Sequence, residues 1–167
     1  AHIGRISKYS IMSSWFNGLM GKAVAPTQEL SASTLLERVQ NATTTEDRRK
    51  AISDLRNMSD NPAHVKTIGT EGLPILMKRL RNDKTDVDGT RGIVQLLISI
   101  MSIAGSELRT VPLGTPQYEN IVRFVKDPTN AAIILSLLEE NDRNIRYFST
   151  KLLTYLLANK GAEIEAA

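Results

Sequence analysis

The chain of 167 residues carries a pattern of apolar and polar positions that returns along its length. One copy runs from Leu73 to Met101 and is interrupted by the polar pair Asn82-Asp83. Its apolar positions are Leu76, Leu80, Val87, Val94, Leu97 and Ile98. These residues are spaced mostly three, four or seven apart, which is typical of amphipathic α-helices. The copy therefore predicts two helices joined by a short polar turn.

Two further copies of this pattern flank the copy from Leu73 to Met101. A later copy, offset by 58 residues around Asn141-Asp142, has apolar positions at Ile134, Leu138, Ile145, Leu152, Tyr155 and Leu156. A fainter copy lies about 42 residues earlier around Thr43-Thr44-Thr45, with Leu35, Val39, Ile52 and Leu55. Helical hairpins repeated at this period are typical of armadillo and HEAT proteins. The sequence thus predicts an all-α fold, an armadillo- or HEAT-like α-solenoid of stacked helical hairpins.

Capping signals set the expected helix boundaries. The capping box Thr34-x-x-Glu37 predicts a helix over about 34–41, and Thr43-x-x-Glu46 predicts a second one that ends near Met58. Asn61-Pro62 predicts a short helix that ends near Gly69. The next helix is expected to carry Pro74 in its first turn. Four more are expected from Thr85 to Gly105, from Gln117 to Lys126, from Asn130 to Glu140, and from Arg143 to Lys160, the last with Asp142 as N-cap.

Irregular stretches divide the chain into two expected regions. Residues 1–30 form a leader and a short amphipathic segment, and residues 1–11 need not be native because Met12 resembles a natural start. Residues 31–167 form the N-terminal part of a repeat head. A loop insert is expected at about 105–116, which holds two prolines and two glycines and has no periodicity. Gly161 to Ala167 reads as the opening of a further helix, so we interpret the head as truncated.

Trp15, Phe16, Leu19 and Met20 form an apolar cluster in the leader region. Gly18 and Gly21 would make a helix here marginal on its own. One interpretation is a cap over the apolar end that every helical stack presents. The other is an interfacial helix that contacts a membrane or a partner, with Lys22 at the level of the lipid headgroups. The pattern leaves both open.

Composition limits the chemistry that the chain can carry. It has no cysteine, a formal net charge of +3 with basic residues spread among acidic ones, and two histidines, His2 and His64. No apolar run approaches the roughly 20 residues of a membrane span. The motifs Asp86-x-Asp88-Gly89 and Gly69-Thr70-Glu71-Gly72 match calcium and phosphate loops only weakly. We therefore expect no catalytic residues, no cofactor, no metal site and no binding of nucleic acid.

Basic residues that follow the hairpin turns are candidates for structural contacts between repeats. Arg48-Arg49-Lys50 follows Glu46 and Asp47 in the second expected helix. Such a run is often a solvated face with ion pairs along the helix. The alternative is an arginine that bonds carbonyls or carboxylates of a neighbouring repeat. The candidate inter-repeat contacts are Arg48, Arg49, Arg146 and Tyr147.

Particular strings within these hairpins resemble the general vesicular transport factors, the Uso-type tethers and their plant golgin relatives. They are Leu35-Leu36-x-Arg38-Val39, Glu46-Asp47-Arg48-Arg49-Lys50-Ala51, Ile134-Leu135-Ser136-Leu137-Leu138-Glu139-Glu140, Arg143-Asn144-Ile145-Arg146-Tyr147 and Lys151-Leu152-Leu153-Thr154-Tyr155-Leu156-Leu157. The resemblance covers about residues 32–163. Asn144 departs from it, since the family usually has an aromatic or bulky residue there.

The resemblance implies a non-enzymatic, peripheral membrane protein that captures vesicles in ER-to-Golgi and intra-Golgi transport. Its implied partners are Rab GTPases, golgins and the SNARE machinery, and it implies a cytoplasmic location on Golgi and vesicle membranes. The full-length protein would be a homodimer through a coiled-coil tail that this chain does not contain. The alternative function is a soluble armadillo adaptor, such as an Hsp70 co-chaperone or nucleotide-exchange factor.

Overall fold

The computed structural model describes residues 30–103, 105 and 110–161. Within these ranges the chain is helical and contains no β-strand, which confirms the all-α prediction. The helices are α1 (Ala32–Asn41), α2 (Thr45–Met58), α3 (Pro62–Thr67), α4 (Leu73–Asn82), α5 (Val87–Met101), α6 (Pro116–Val125), α7 (Pro128–Ser136) and α8 (Arg143–Ala158). A π-helical turn, Ile68–Gly72, joins α3 to α4, and a 3-10 turn, Leu137–Glu139, follows α7.

The helices fall into three successive units whose corresponding members contact one another. Unit one is α1–α2, unit two is α3–α5 and unit three is α6–α8. The last helices form one row, in which α2 contacts α5 and α5 contacts α8. The middle helices form a second row of α1, α4 and α7, and α3 contacts α6 in a third. Two of the units therefore contain a first helix, α3 or α6, that the two-helix pattern did not include.

The apolar positions of the pattern form the core between these rows. Leu76, Val94 and Leu97 are fully buried, as are their counterparts in the flanking units except Tyr155, which is partly buried. Burial of such side chains contributes roughly 1.5–3 kcal/mol each, so the repeated stripe is the main source of stability. Val87 is the exception among the apolar positions of the first copy. It is 41% exposed because it is the first residue of α5, at the end of the row.

The spacing of the units differs slightly from the spacing of the apolar pattern. The last helices of the units have Thr44, Asp86 and Asp142 as N-caps, which lie 42 and 56 residues apart. The second offset is 56 and not the 58 obtained by aligning apolar residues. The added length lies between the end of α5 and the start of α6. Its described part is anchored where Val111 N–H donates to Asn159 Oδ1, at 2.8 Å, at the end of α8.

Several predicted boundaries are wrong for local physical reasons. Helix α1 begins two residues early, because Ser31 Oγ accepts the Thr34 N–H and is the N-cap. Helix α5 ends at Met101 and not at Gly105, since Ser102 is extended and its hydroxyl bonds the Ile98 carbonyl. The helix expected to stop near Gly69 continues through the π-helical turn into α4.

The start of α2 provides a direct test of the capping assignment. Thr44, and not Thr43, is the N-cap: its hydroxyl oxygen accepts the Asp47 N–H and the hydroxyl donates to the Asp47 carboxylate. Loss of such a cap costs about 1 kcal/mol. We expect Thr44→Ala to lower the free energy of unfolding by about that amount, and Thr43→Ala to change it by less than about 0.5 kcal/mol. Urea denaturation of both variants checks the assignment, and equal losses would contradict it.

Candidate functional site

The described part of the chain brings together no constellation suited to catalysis. Within residues 30–103, 105 and 110–161, no cluster of three His, Cys, Asp or Glu side chains could hold a metal ion. His64, the only histidine within these ranges, lies half-buried on α3 at the edge of a groove. None of the helices in these ranges has the length and apolar character needed to cross a membrane.

The two weak ligand-loop matches have structural roles. Asp86 accepts the Gly89 N–H at 2.9 Å and caps α5, and its carboxylate also binds Arg49. A side chain at position 89 would collide with that carboxylate, since a Cβ there would lie 2.2 Å from Asp86 Oδ2. Gly69 and Gly72 are both buried in the π-helical turn, against Asn120 and Leu36 respectively. Their backbone therefore packs against the core and does not line a phosphate cradle.

A repeated arginine–aspartate contact links the last helices of successive units. Arg49 of α2 donates to Asp86, with its Nε 2.8 Å and its Nη2 2.7 Å from Oδ1. Arg91 of α5 donates to Asp142, with Nη2 2.9 Å from Oδ2. Each acceptor is the N-cap of the next unit's last helix, and each arginine is the fifth residue after the N-cap of its own. We name these two pairs the inter-unit bridges.

The electrostatics of the inter-unit bridges follow from their geometry. Asp86 is 7% exposed, whereas Arg49 is 43% exposed. The hydrogen bond to Asp86 raises the pKa of Arg49 above its ordinary value. Bonds from the Ile145 N–H and then from Arg91 lower the pKa of Asp142. Asp142 is thus held in its charged form at a helix N-terminus, where a negative charge is favoured. Arg49 also lies 3.2 Å from Asp88, but that pair is largely exposed and contributes little.

The other predicted contact residues lie close to the turns. Arg48 donates to Asp83 in the turn of unit two at 3.0 Å and to the Ala42 carbonyl of its own turn at 3.2 Å. Arg146 donates to two carbonyls of its own turn, those of Glu140 and Asn141. Tyr147 is 60% exposed and its ring meets Phe148 edge to face, with centroids 5.2 Å apart. Trp15, Phe16, Leu19 and Met20 lie outside the described residues.

Sequence reasoning missed Arg91 and the role of its acceptor. A signal was present, since Arg91 follows Arg49 by 42 residues, the same offset that relates the first two copies of the apolar pattern. The next counterpart, the fifth residue after Asp142, is Tyr147. A residue-by-residue comparison of the copies would therefore have found the second bridge.

Asn120 of α6 is a second inter-unit contact that the sequence did not reveal. Its side chain is fully buried, and its Nδ2 donates at 3.0 Å both to the Val65 carbonyl of α3 and to the Ile100 carbonyl of α5. The Val65 carbonyl also accepts the Ile68 N–H, whereas the Ile100 carbonyl lies in the last turn of α5, where α-helical partners are incomplete. Arg123 donates to the remaining Oδ1 at 3.1 Å. One amide therefore fastens units two and three together.

Comparison with known proteins gives relatives but no family model that matches the chain. The chain is 26% identical over 161 residues to Golgin candidate 6 of Arabidopsis thaliana, which covers 93% of this chain and 18% of the relative. It is 30% identical over 161 residues to general vesicular transport factor p115 of Rattus norvegicus, covering 90% of this chain and 16% of the relative. The human p115 shows the same identity and coverage.

The chain spans less than a fifth of the length of these curated relatives. Their names describe a golgin and a vesicular transport factor, and not enzymes, in agreement with the expectation that this chain is not an enzyme. The resemblance found in the sequence motifs is therefore confirmed: over about nine-tenths of its length, this chain is homologous to the general vesicular transport factors and their plant golgin relative.

Proposed function

We propose that the three units are armadillo-type repeats of an α-solenoid, and that this solenoid is part of the head of a vesicle-tethering factor. The observation that carries the proposal is the set of rows in which corresponding helices of successive units touch. Stacked units of this kind make extended surfaces for protein partners. Homology to vesicular transport factors supports the wider role.

The inter-unit bridges and the turn contacts of Arg48 are proposed to fix the angle between units. A solenoid holds a partner on a surface that spans several repeats, so small changes of that angle displace the binding groups. Bonds from Arg48, Arg49 and Arg91 to the next unit all lie near the N-termini of the last helices. In this proposal Arg146 and Tyr147 occupy the corresponding places in unit three and contact a following unit.

The partner surface is proposed to be the row formed by α2, α5 and α8. Between α2 and α5 this row has an open groove of about 710 Å³, with Arg56 and Gln95 among its lining residues. The lining mixes polar and apolar groups, including the 37% exposed Ile103. Such a mixture suits a protein partner better than a small metabolite, which is usually bound in an enclosed apolar pocket.

In the cell, the proposed role is vesicle capture in ER-to-Golgi and intra-Golgi transport. The head would bind Rab GTPases, golgins and the SNARE machinery on the cytoplasmic side of Golgi and vesicle membranes. In the full-length protein a coiled-coil tail would provide dimerisation and reach. None of these functions requires chemistry at the head.

A binding assay with purified partners tests the proposed function. The chain is immobilised and exposed to Golgi and ER Rab GTPases loaded with a GTP analogue or with GDP, and in parallel to an Hsp70 ATPase domain. We expect capture of at least one Rab in its GTP form and no capture of Hsp70. Capture of Hsp70 alone would favour the adaptor alternative, and capture of neither would contradict the tethering proposal for this part of the head.

Matched variants locate the binding surface in the same assay. Arg56→Glu reverses the charge of an exposed side chain in the groove between α2 and α5. Lys78→Glu makes the same change on α4, in the row of middle helices. Charge changes at an interface act mainly on association rate and its salt dependence. We expect Arg56→Glu to slow association and Lys78→Glu to leave it unchanged, and the reverse result would move the partner surface to the middle row.

A further inference from the structure

The positive charge of the middle row is concentrated on its central helix, α4. This helix contains Lys78, Arg79 and Arg81 and no acidic residue. In the same row α7 has no charged residue, and α1 has one of each sign, Glu37 and Arg38. Both of these α1 residues line a different groove, on the other side of α1 from α4. The three basic residues of α4 therefore have no acidic counterpart within their row.

The ion pairs of the described residues are formed elsewhere in the fold. Their basic members are Arg48, Arg49, Arg91 and Arg123, and none of these belongs to α4. The inter-unit bridges thus compensate arginine charges in the row of last helices. Among the described carboxylates there is no corresponding partner for Lys78, which is exposed. The charge of α4 is consequently available to a partner.

Neutral acceptors of the neighbouring units position the two arginines of α4. Arg79 Nη2 donates to the carbonyl of Gln40 near the end of α1. Arg81 Nη2 donates to Thr129 Oγ1 on α7, at 3.3 Å. The carboxylate of Asp127 accepts the N–H and the hydroxyl of Thr129. These contacts restrict the guanidinium groups without neutralising them by an ion pair, so less conformational entropy is lost when an anion binds.

A groove of about 300 Å³ lies beside these charges, between the end of α1 and α4. Pro74 and Ile75 give its lining an apolar part, and Lys78 and Arg79 supply two positive charges. Side-chain amides of α1 and α4 complete the lining. The groove is open and at the lower end of the volume range of ligand pockets, roughly 300–1,000 Å³. It therefore suits one or two side chains of a protein partner better than a whole metabolite.

We propose that this groove binds an acidic segment of a partner protein, with carboxylates on Lys78 and Arg79 and an apolar side chain against Ile75. Charge complementarity identifies the occupant, since a carboxylate supplies the counter-charge that α4 lacks. Arg79 uses Nη2 toward Gln40, which leaves its other nitrogens to donate to a carboxylate. The proposal concerns a different row from the one proposed for the Rab partner and does not depend on the tethering role.

An anionic membrane is the competing partner for a basic surface. Membrane-binding surfaces combine apolar side chains that enter the lipid with basic side chains that reach the headgroups together. Here Ile75 is only partly exposed and packs against the core. Arg79 and Arg81 extend toward different neighbours, α1 and α7. This geometry distributes charge along a concave surface and favours a polypeptide that lies in the groove.

An acidic model peptide tests the proposal with the intact chain. The probe is a fluorescein-labelled peptide in which pairs of glutamate alternate with single leucines, and its binding is followed by fluorescence anisotropy. We expect saturable binding that weakens as ionic strength rises. Peptides with glutamine in place of glutamate, or serine in place of leucine, should bind more weakly. The proposal is wrong if the glutamate peptide does not bind or if the glutamine peptide binds equally well.

Two charge reversals determine where the peptide binds. Lys78→Glu and Lys151→Glu each replace an exposed lysine that is outside the described ion pairs, and they change the net charge equally. Lys151 lies on α8, away from the groove. We expect Lys78→Glu to weaken binding about tenfold, Lys78→Gln about threefold and Lys151→Glu less than about twofold. Equal losses for the two reversals would mean that the peptide follows net charge, and would overturn the proposal.

A label in the groove separates the peptide from the membrane as occupant. The chain has no cysteine, so Asn82→Cys provides a single site for a bimane label in the groove lining, and Asn144→Cys provides a control on α8. We expect the peptide to change the emission of the groove label only, and vesicles of phosphatidylcholine and phosphatidylserine to change neither. A response of the groove label to vesicles and not to the peptide would make this a lipid-binding surface and contradict the proposal.

Discussion

Replacing Asn120 by leucine is expected to lower the free energy of unfolding by about 2 kcal/mol, since each of the two buried hydrogen bonds that Asn120 donates contributes about 1 kcal/mol. The leucine has a similar size but donates no hydrogen bond, so the carbonyls of Val65 and Ile100 lose the bonds that Asn120 donates. Both carbonyls belong to unit two, whereas Asn120 belongs to unit three. The loss should therefore also weaken the coupling between these units.

Two further variants distinguish lost hydrogen bonds from altered packing. Asn120→Asp keeps the shape but replaces the donating amide by a carboxylate oxygen that faces two carbonyls, so it should destabilise at least as strongly as leucine. Asn144→Leu changes an exposed asparagine on α8 and should have an effect of less than about 0.5 kcal/mol. Chemical denaturation followed by circular dichroism gives all three values. A loss below 1 kcal/mol for Asn120→Leu would contradict this account.

Gly69 explains why the carbonyl of Val65 is within reach of Asn120. A Cβ at position 69 would lie only 1.7 Å from Asn120 Oδ1, so the close approach of α6 to the π-helical turn requires glycine. The backbone conformation of Gly69 is itself helical, and the constraint comes entirely from a residue 51 positions later in the sequence. This is a contact between units that the local sequence pattern does not encode.

The sequence predicted features that are local to one helix better than contacts between units. Apolar periodicity predicted the helical hairpins and their core positions, because burial of one face is a local property of each helix. N-cap positions were predicted to within about three residues, and Asp142 was predicted correctly as the N-cap of α8. The choice of Thr44 over Thr43 depends on which of three neighbouring threonines aligns its hydroxyl with a helix N–H, and composition does not decide that.

The contacts between units were less accessible to sequence reasoning. Arg49 was a candidate for such a contact, but its acceptor lies 37 residues away and was first interpreted as part of a weak calcium-loop match. Helices α3 and α6 were expected as isolated helices and not as corresponding members of successive units. A pattern built on two helices cannot predict a third helix whose place is set by packing against the next unit.

The inter-unit bridge at Asp86 gives the second large expected effect. Asp86→Ala removes the N-cap of α5, which is worth about 1 kcal/mol, and also leaves Arg49 without its acceptor. We expect the free energy of unfolding to fall by about 2 kcal/mol in total. The loss of the bridge adds only modestly to the loss of the cap, because Arg49 is 43% exposed and solvent screens its charge. Asp127→Ala is the matched control, since Asp127 caps α7 through the N–H of Thr129 and should cost only the cap, about 1 kcal/mol.

A double-mutant cycle separates the bridge from the cap. Asp86→Asn retains an oxygen that can accept the Gly89 N–H but removes the charge, and Arg49→Met removes the donor while keeping a long apolar side chain. Combining them should give a coupling energy of about 0.5–1 kcal/mol at low salt, and this coupling should shrink as ionic strength rises. Zero coupling, together with equal losses for Asp86→Ala and Asp127→Ala, would mean that Asp86 is only a helix cap. The angle between units one and two would then depend on apolar packing between α2 and α5, and the repetition of the bridge at Arg91 and Asp142 would have no energetic role.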